Sequence, residues 1–361
     1  MPSMTGPLAV NVKPMSFTAG PLGTIYVSGA VSAFAQSQNN IIPGDQRSQV
    51  DMSNAQVFVQ KVDGVFQFFG EFGGYSLPDL GAAYIRSGDV PNDFWGILPQ
   101  GYVKLQPSAA FSLEAGKLPT LIGAEYTFSF ENMNVQRGLL WNQENAVNRG
   151  IQANYTAGPV ALSAAWSDGF YSKKYNWGLL SAAWTIDSNN TVAIVGGGSF
   201  GTTNVASTLA TPIFLANEKI YNVIYTRLMG AWTIEPYYQY TEVPQINSIG
   251  AYHSASTSGA ALFVNYTFDG KSALAGFSLP ARVEYIASTG SASQGSPNLL
   301  YGVGSKAWSI TLTPTFQYNL FFIRLEGSFV GASSTTPGSV FGPDGNKTTQ
   351  ARLVLETGIL F

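Results

Sequence analysis

The sequence contains no cysteine and a single histidine, His253. Without thiols there can be neither disulfides nor thiolate metal sites. One histidine leaves no histidine-cluster metal centre and little basis for triad chemistry, so no catalytic residue, cofactor or metal is expected. Charge is scarce as well: Asp, Glu, Lys and Arg make up 11% of the 361 residues, against about a quarter in a typical soluble domain. Long apolar runs are also missing, and no uninterrupted stretch approaches the ~20 residues of a transmembrane helix. A formal charge of −3 gives no basis for nucleic-acid binding. The opening MPSMTGPLAVNVKPMSF has neither a basic n-region nor a long h-region, so no signal peptide is expected in it and an exported chain would be met here in mature form.

What the chain has in quantity is aromatic residues, at 13%, and glycine, at 39. Low charge, many aromatics and no helical span point to a membrane β-barrel, which hides its hydrophobicity in alternation. The last fourteen residues, Thr348 to Phe361, show the pattern. One parity reads Ala351, Leu353, Leu355, Thr357, Ile359, Phe361, and the other carries Arg352 and Glu356. A strand turns successive side chains to opposite faces, so one face is apolar and the other polar. Segments of this kind recur near 24–35, 52–61, 64–73, 100–107, 109–117, 148–157, 159–169 and 176–187. They continue near 190–200, 218–228, 231–242, 257–268, 280–289, 304–316, 320–331 and 348–361.

The connections sort by parity. Tight ones (61–64, 106–109, 157–158, 187–190, 228–230, 317–319, with a longer 269–279) alternate with long ones. The long ones are 36–51, 74–99, 118–147, 170–175, 201–217, 243–256, 290–303 and 332–347. An up-and-down barrel puts odd and even hairpins on opposite sides, with short periplasmic turns and long outer loops. The expected fold is therefore all-β: a transmembrane antiparallel up-and-down barrel of about 16 strands in the bacterial outer membrane. Residues 1–23 are read as a periplasmic or exposed lead-in and 24–361 as a single barrel domain. Trp166, Trp184, Trp232 and Trp308 fall near segment ends on the apolar parity, as interfacial aromatics should, and Phe361 is placed at the periplasmic rim. The bland alternative makes these aromatics the core of a soluble β protein. Pro236 and Pro314 lie inside expected strands and should mark a bulge or a strand end.

The longest outer connection, 118–147, is too apolar for disorder, with Ile122, Tyr126, Phe128, Phe130, Leu139, Leu140 and Trp141. It needs a surface to pack on, and the barrel interior is the one available. Gly116–Glu125 (GKLPTLIGAE), Asn132–Trp141 (NMNVQRGLLW) and Arg149-Gly150-Ile151 resemble the third-hairpin region of bacterial outer-membrane porins of the "putative beta-barrel porin-2" type. That resemblance implies a strand, a long loop folded into the pore and a returning strand, hence a diffusion channel. By analogy with general porins it also suggests a homotrimer, in which loop 74–99 could reach a neighbour.

If 118–147 constricts the pore, Glu125, Glu131, Arg137 and Glu144, with Arg149 at the rim, set the local field. The alternative is that Arg137 pairs with one of these glutamates simply to pin the loop. The inward parity of the strands supplies Glu71, Glu114, Glu235, Arg282, Glu284, Arg324, Glu326, Arg352 and Glu356. The last three Arg/Glu combinations could form a salt-bridge ladder on the wall, and the surplus of glutamate predicts a weak preference for cations. Gly196–Gly198 lack the Lys-Ser/Thr of a phosphate loop and suit close packing against the loop or a neighbouring barrel. Asp79, Asp89 and Asp93 are a candidate divalent-ion site whose spacing fits no EF-hand.

The function expected is passive diffusion of small hydrophilic solutes or ions across an outer membrane, with lipid as the other partner. Two rivals stay open. A barrel enzyme would need a nucleophile–base pair, which a lone loop histidine does not supply. A sheath or receptor for a partner, such as a redox carrier, would need loop 118–147 to stand aside. The chain has no CxxCH motif and so carries no c-type haem itself.

Overall fold

The alternation becomes a closed sheet in the computed structural model, which describes residues 6–361. The first eight barrel strands are β1 (Thr24–Gln38), β2 (Ser48–Lys61), β3 (Phe66–Tyr75), β4 (Gly101–Leu105), β5 (Phe111–Pro119), β6 (Val147–Ala157), β7 (Val160–Ser167) and β8 (Trp177–Asp187). The rest are β9 (Asn190–Ser199), β10 (Lys219–Met229), β11 (Trp232–Val243), β12 (Ala255–Thr267), β13 (Phe277–Ser288), β14 (Lys306–Leu312 and Thr315–Tyr318), β15 (Phe321–Ser333) and β16 (Thr349–Leu360). Each pairs antiparallel with its sequence neighbour, and β16 returns to β1 with Gly358 opposite Ser32. The closed ring leaves no strand edge, which a hydrocarbon environment requires because it offers no other partner for peptide groups. Among the described residues no helix is long and apolar enough to cross a membrane.

The seam joins the two ends of the chain. The Phe361 N–H donates to the Gly29 carbonyl at 3.0 Å and the Gly29 N–H to the Phe361 carbonyl at 2.9 Å. A Cβ on Gly29 would lie 2.5 Å from Cζ of Phe361, so the ring covers a position that only glycine can fill.

Both prolines act as their chemistry demands. Pro314 divides β14 into its two pieces. Pro236 stays in β11 opposite Leu262, but the ladder to β10 lapses between the Ile224–Tyr237 and Arg227–Ile234 pairs.

Connections 62–65, 106–110, 158–159, 188–189, 230–231, 268–276 and 319–320 emerge at one end, and the longer ones at the other. The two faces of β15 show the sorting of side chains. Phe321, Ile323 and Leu325 are exposed on the outside, while Phe322, Arg324 and Glu326 are at most 1% exposed. Trp166, Trp184, Trp232 and Trp308 all lie on the outer surface, two near each end of the strands. The other three tryptophans, Trp95, Trp141 and Trp177, are buried inside. Gly196 and Gly198 line a shallow depression of ≈ 990 Å³ on the outer wall, with Ala153, Ala164, Leu180 and Ile194.

Candidate pore constriction

Loop 120–146 leaves β5 and returns to β6 through the inside of the barrel. Apolar anchors hold it there. Phe128 and Phe130 stack at 6.2 Å and meet the lumenal rings of Tyr75 (5.1 Å) and Phe58 (5.9 Å). Leu139 and Leu140 join Tyr237, Phe263 and Ile286 from the opposite wall, and Ile122 joins Trp177 and Phe170. Burying such side chains contributes about 1.5–3 kcal/mol each, which is what draws so apolar a loop inward.

The loop has only two short 3₁₀ turns, Ser129–Glu131 and Trp141–Gln143, so most of its peptide groups need partners from outside it. The charged wall supplies them. Glu326 accepts from the N–H groups of Val135 (2.5 Å) and Gln136 (3.1 Å). Arg324 donates to the carbonyls of Asn132 (2.9 Å) and Ser129 (2.7 Å), and Arg282 to that of Gln136 (2.8 Å). Gln239 donates to the Leu140 carbonyl at 3.0 Å.

Of the expected ladder one pair forms, Arg282 with Glu284, and the other two are replaced. Arg282 bridges Glu125 of the loop at 2.5 Å and Glu284 of its own strand at 3.1 Å. Arg324 pairs with Glu356, its direct cross-strand neighbour, through Nε at 3.0 Å. Glu356 also accepts from Ser129 Oγ at 2.6 Å. Arg352 instead donates to Gln38 (2.8 Å) and to the carbonyls of Asp79 and Ala82 (both 2.6 Å). Arg137 is fully buried, but its carboxylate is Asp79 at 2.6 Å, not Glu125, Glu131 or Glu144. A parallel bridge between Asp79 and Arg137 sets that match, so loop 76–100 also folds inward there. Its Leu77, Leu80, Val90 and Trp95 are buried. Arg149 bonds Asp168 at 2.6 Å and lies 3.8 Å over the Tyr171 ring, apart from the loop's carboxylates.

The Arg/Glu wall therefore faces the lumen without lining open water: Arg282, Glu284, Arg324, Glu326, Arg352 and Glu356 are at most 4% exposed. Glu71 is likewise buried, taking a 2.5 Å hydrogen bond from Gln56, and Glu114 meets Lys104 at 3.5 Å. Glu144 accepts from the Tyr237 hydroxyl at 2.8 Å. Asp79 being engaged with Arg137, the three-aspartate ion site does not assemble, and among the described residues no group of three His, Asp or Glu could hold a metal. His253 is exposed on its loop.

Space remains on the other side of the loop. Two cavities, of ≈ 390 and ≈ 380 Å³, share Ala124, Glu125, Tyr126, Glu131, Thr226 and Glu235 and form one chamber. Three carboxylates line it and, among the described residues, no lysine or arginine does. Glu235 accepts from Thr226 Oγ1 at 2.6 Å. Burial pushes the Glu131 carboxyl up to about 8, opposed by a hydrogen bond from the Phe128 N–H and by the Arg137 charge. Burial raises Glu144 to about 8 as well. The sequence marked Glu125, Glu131 and Glu235, and it named Asp79 as a candidate ion ligand and not as the partner of Arg137.

The profile of the family described as "Putative beta-barrel porin-2, OmpL-like" matches residues 24–361. Comparison with curated proteins returned no match. Among solved structures, OmpT, an outer-membrane protein of Vibrio cholerae, aligns over 97% of this chain and 100% of its own, at 12% identity and a TM-score of 0.60. OpdK from Pseudomonas aeruginosa aligns over 93% and 99%, at 12% identity and a TM-score of 0.52. At such identities the likeness is one of fold: a closed outer-membrane barrel of the same kind.

Proposed function

Because the chain belongs to the OmpL-like putative beta-barrel porin-2 family, we propose that it is a passive channel for small hydrophilic solutes or ions, favouring cations. Its place is the bacterial outer membrane, and its kind is that of the porin-like barrels. In this reading residues 24–361 are one barrel domain, loop 120–146 is the constriction, and no covalent chemistry is performed. The observation that carries it is the chamber walled by Glu125, Glu131 and Glu235, with no cationic side chain lining it and Arg282 bonded to Glu125 from behind. Carboxylates at a narrow point lower the energy of passing cations and raise that of anions. Arg282 offsets Glu125, while Arg324 and Arg352 are engaged on the far side by Glu356 and by loop carbonyls, which leaves the field to Glu131 and Glu235. Trimeric assembly is proposed by analogy with general porins alone. With loop 120–146 docked across the lumen, the sheath reading has no observation behind it.

The test is planar-bilayer recording on the purified chain and on a 120–146 deletion, with reversal potentials under a salt gradient. A cation-selective wild type and a larger, less selective deletion are expected. Anion selectivity would refute the field argument, and an unchanged conductance on deletion would refute the constriction.

A further inference from the structure

The chain ahead of β1 was expected to lie outside the barrel, and part of it does not. Residues 15–18 form a short exposed strand paired with 24–27 at the foot of β1. Before that, Val12 is 86% exposed, and then the chain turns into the lumen from the short-turn side. Leu8 is only 5% exposed and joins the lumenal cluster of Phe58, Phe69, Phe130 and Phe322. The Ala9 N–H donates to Gln317 Oε1 at 2.7 Å, and Gln317 Nε2 donates to the Ala9 carbonyl at 2.7 Å. Deeper still, a Cβ on Gly6 would lie 2.7 Å from the Glu131 carbonyl oxygen. Gly6 and Pro7 line the acidic chamber opposite Thr233, Phe263 and Asn265. The segment thus crosses the periplasmic mouth from Gln317 on β14 toward β11 and β12.

We propose that residues 6–11 are a displaceable strap that closes the periplasmic mouth and regulates flux through the acidic chamber. This rests on the channel reading above. The strap's hold is slight beside that of loop 120–146. Buried Leu8, half-buried Val10, the close approach of Gly6 to the Glu131 backbone and two hydrogen bonds to one glutamine side chain secure it, whereas the loop is tied by three apolar anchors and a wall of charge-assisted bonds. Its ends also suit a hinge. The paired ribbon at 15–18 fixes the base, and the residues between the ribbon and Leu8, with Val12 and Lys13 exposed, belong to no strand ladder and can swing without breaking one. A two-state element of this kind needs only a small differential contact to shift its population. The strap therefore opens while the loop stays docked.

The experiment is single-channel recording on the full chain. Leu8→Asp puts a charge into the aromatic cluster and should raise unit conductance or open probability by on the order of twofold or more, as the open state goes from minor to dominant. In a second variant, Ala9→Cys with Gln317→Cys, a short bis-thiol-reactive linker bridges the only two thiols in the chain. Bridged channels should be held at low conductance, and unbridged ones should match or exceed wild type. Equal conductance for wild type, Leu8→Asp and both states of the cysteine pair would overturn the strap while leaving the channel reading intact. Silence of every variant, the 120–146 deletion included, would overturn both.

Discussion

Loop 120–146 meets two walls of the same barrel, and they treat its carboxylates in opposite ways. Toward β13–β16, Glu284, Glu326 and Glu356 lie among arginines and unpaired loop peptide groups, and all are dry. Toward β10–β12, Glu131 and Glu235 have a chamber in front of them and no lysine or arginine lining it. One residue type thus does two jobs. Where an arginine and a stretch of irregular backbone are within reach, glutamate becomes a structural ligand for the loop. Where neither is, it supplies a field to the space that remains. Glu125 stands at the junction, bonded to Arg282 on one side and lining the chamber on the other.

The largest effect should come from breaking the dry side. Arg324→Ala strands Glu356 and leaves the carbonyls of Ser129 and Asn132 without their donor. Removing one member of a buried pair costs about 3–5 kcal/mol, so the loop should become protease-sensitive and the barrel should lose its heat-resistant gel mobility at lower temperature. Unchanged protease protection of 120–146 would show that the apolar anchors suffice. On the wet side, Glu235→Gln should leave the barrel's thermal stability close to wild type and move the reversal potential toward zero. A lowered melting temperature with unaltered selectivity would reverse the assignment of the two walls.

Proton titration sharpens the contrast. The Glu131 carboxyl ionises near 8, so chamber charge and cation preference should grow from pH 6 to pH 9, while the arginines stay charged throughout. Stability moves the other way. A carboxyl raised from 4.5 to about 8 holds its proton in the folded state where the unfolded chain has lost it. Its contribution is full below about 4.5 and is lost as pH rises through about 8. A flat selectivity across that range would mean that Glu131 does not face the permeating ion. The smallest change belongs to Thr226→Ala. It removes the 2.6 Å bond to Glu235, costs about 0.5–1.5 kcal/mol, and is best read as a slight alteration in selectivity.

The wall was legible in the sequence because a strand's period of two is rigid. Once Leu353 and Leu355 are assigned outward, Arg352 and Glu356 must face in, and they do. Loop parity and the outward tryptophans follow from the same periodicity. Of the pairings, Arg282 with Glu284 was legible and the other two were not. Arg352 and Glu356 lie two inward steps apart along one strand, whereas Arg324 sits directly across from Glu356, a distance that side chains close easily. Register decides this, and alternation is silent on register. The Asp79–Arg137 pair and the burial of Leu8 were missed for a different reason. Asp79 and Leu8 both lie in irregular backbone, where no period says which way a side chain turns. Both are held by tertiary contacts with residues far along the chain.

The seam at Gly29 and Phe361 also has a kinetic meaning. Every other barrel pairing joins strands adjacent in sequence, so hairpins can zip one after another at low entropic cost. The β16–β1 pairing alone unites opposite ends of the chain, and its loop-closure entropy must be met in a single late step. Assembly in the membrane should therefore pass through an open, curled sheet whose two unpaired margins are β1 and β16. The amides of Gly29 and Phe361 should be the last to gain protection from hydrogen exchange and the first to lose it.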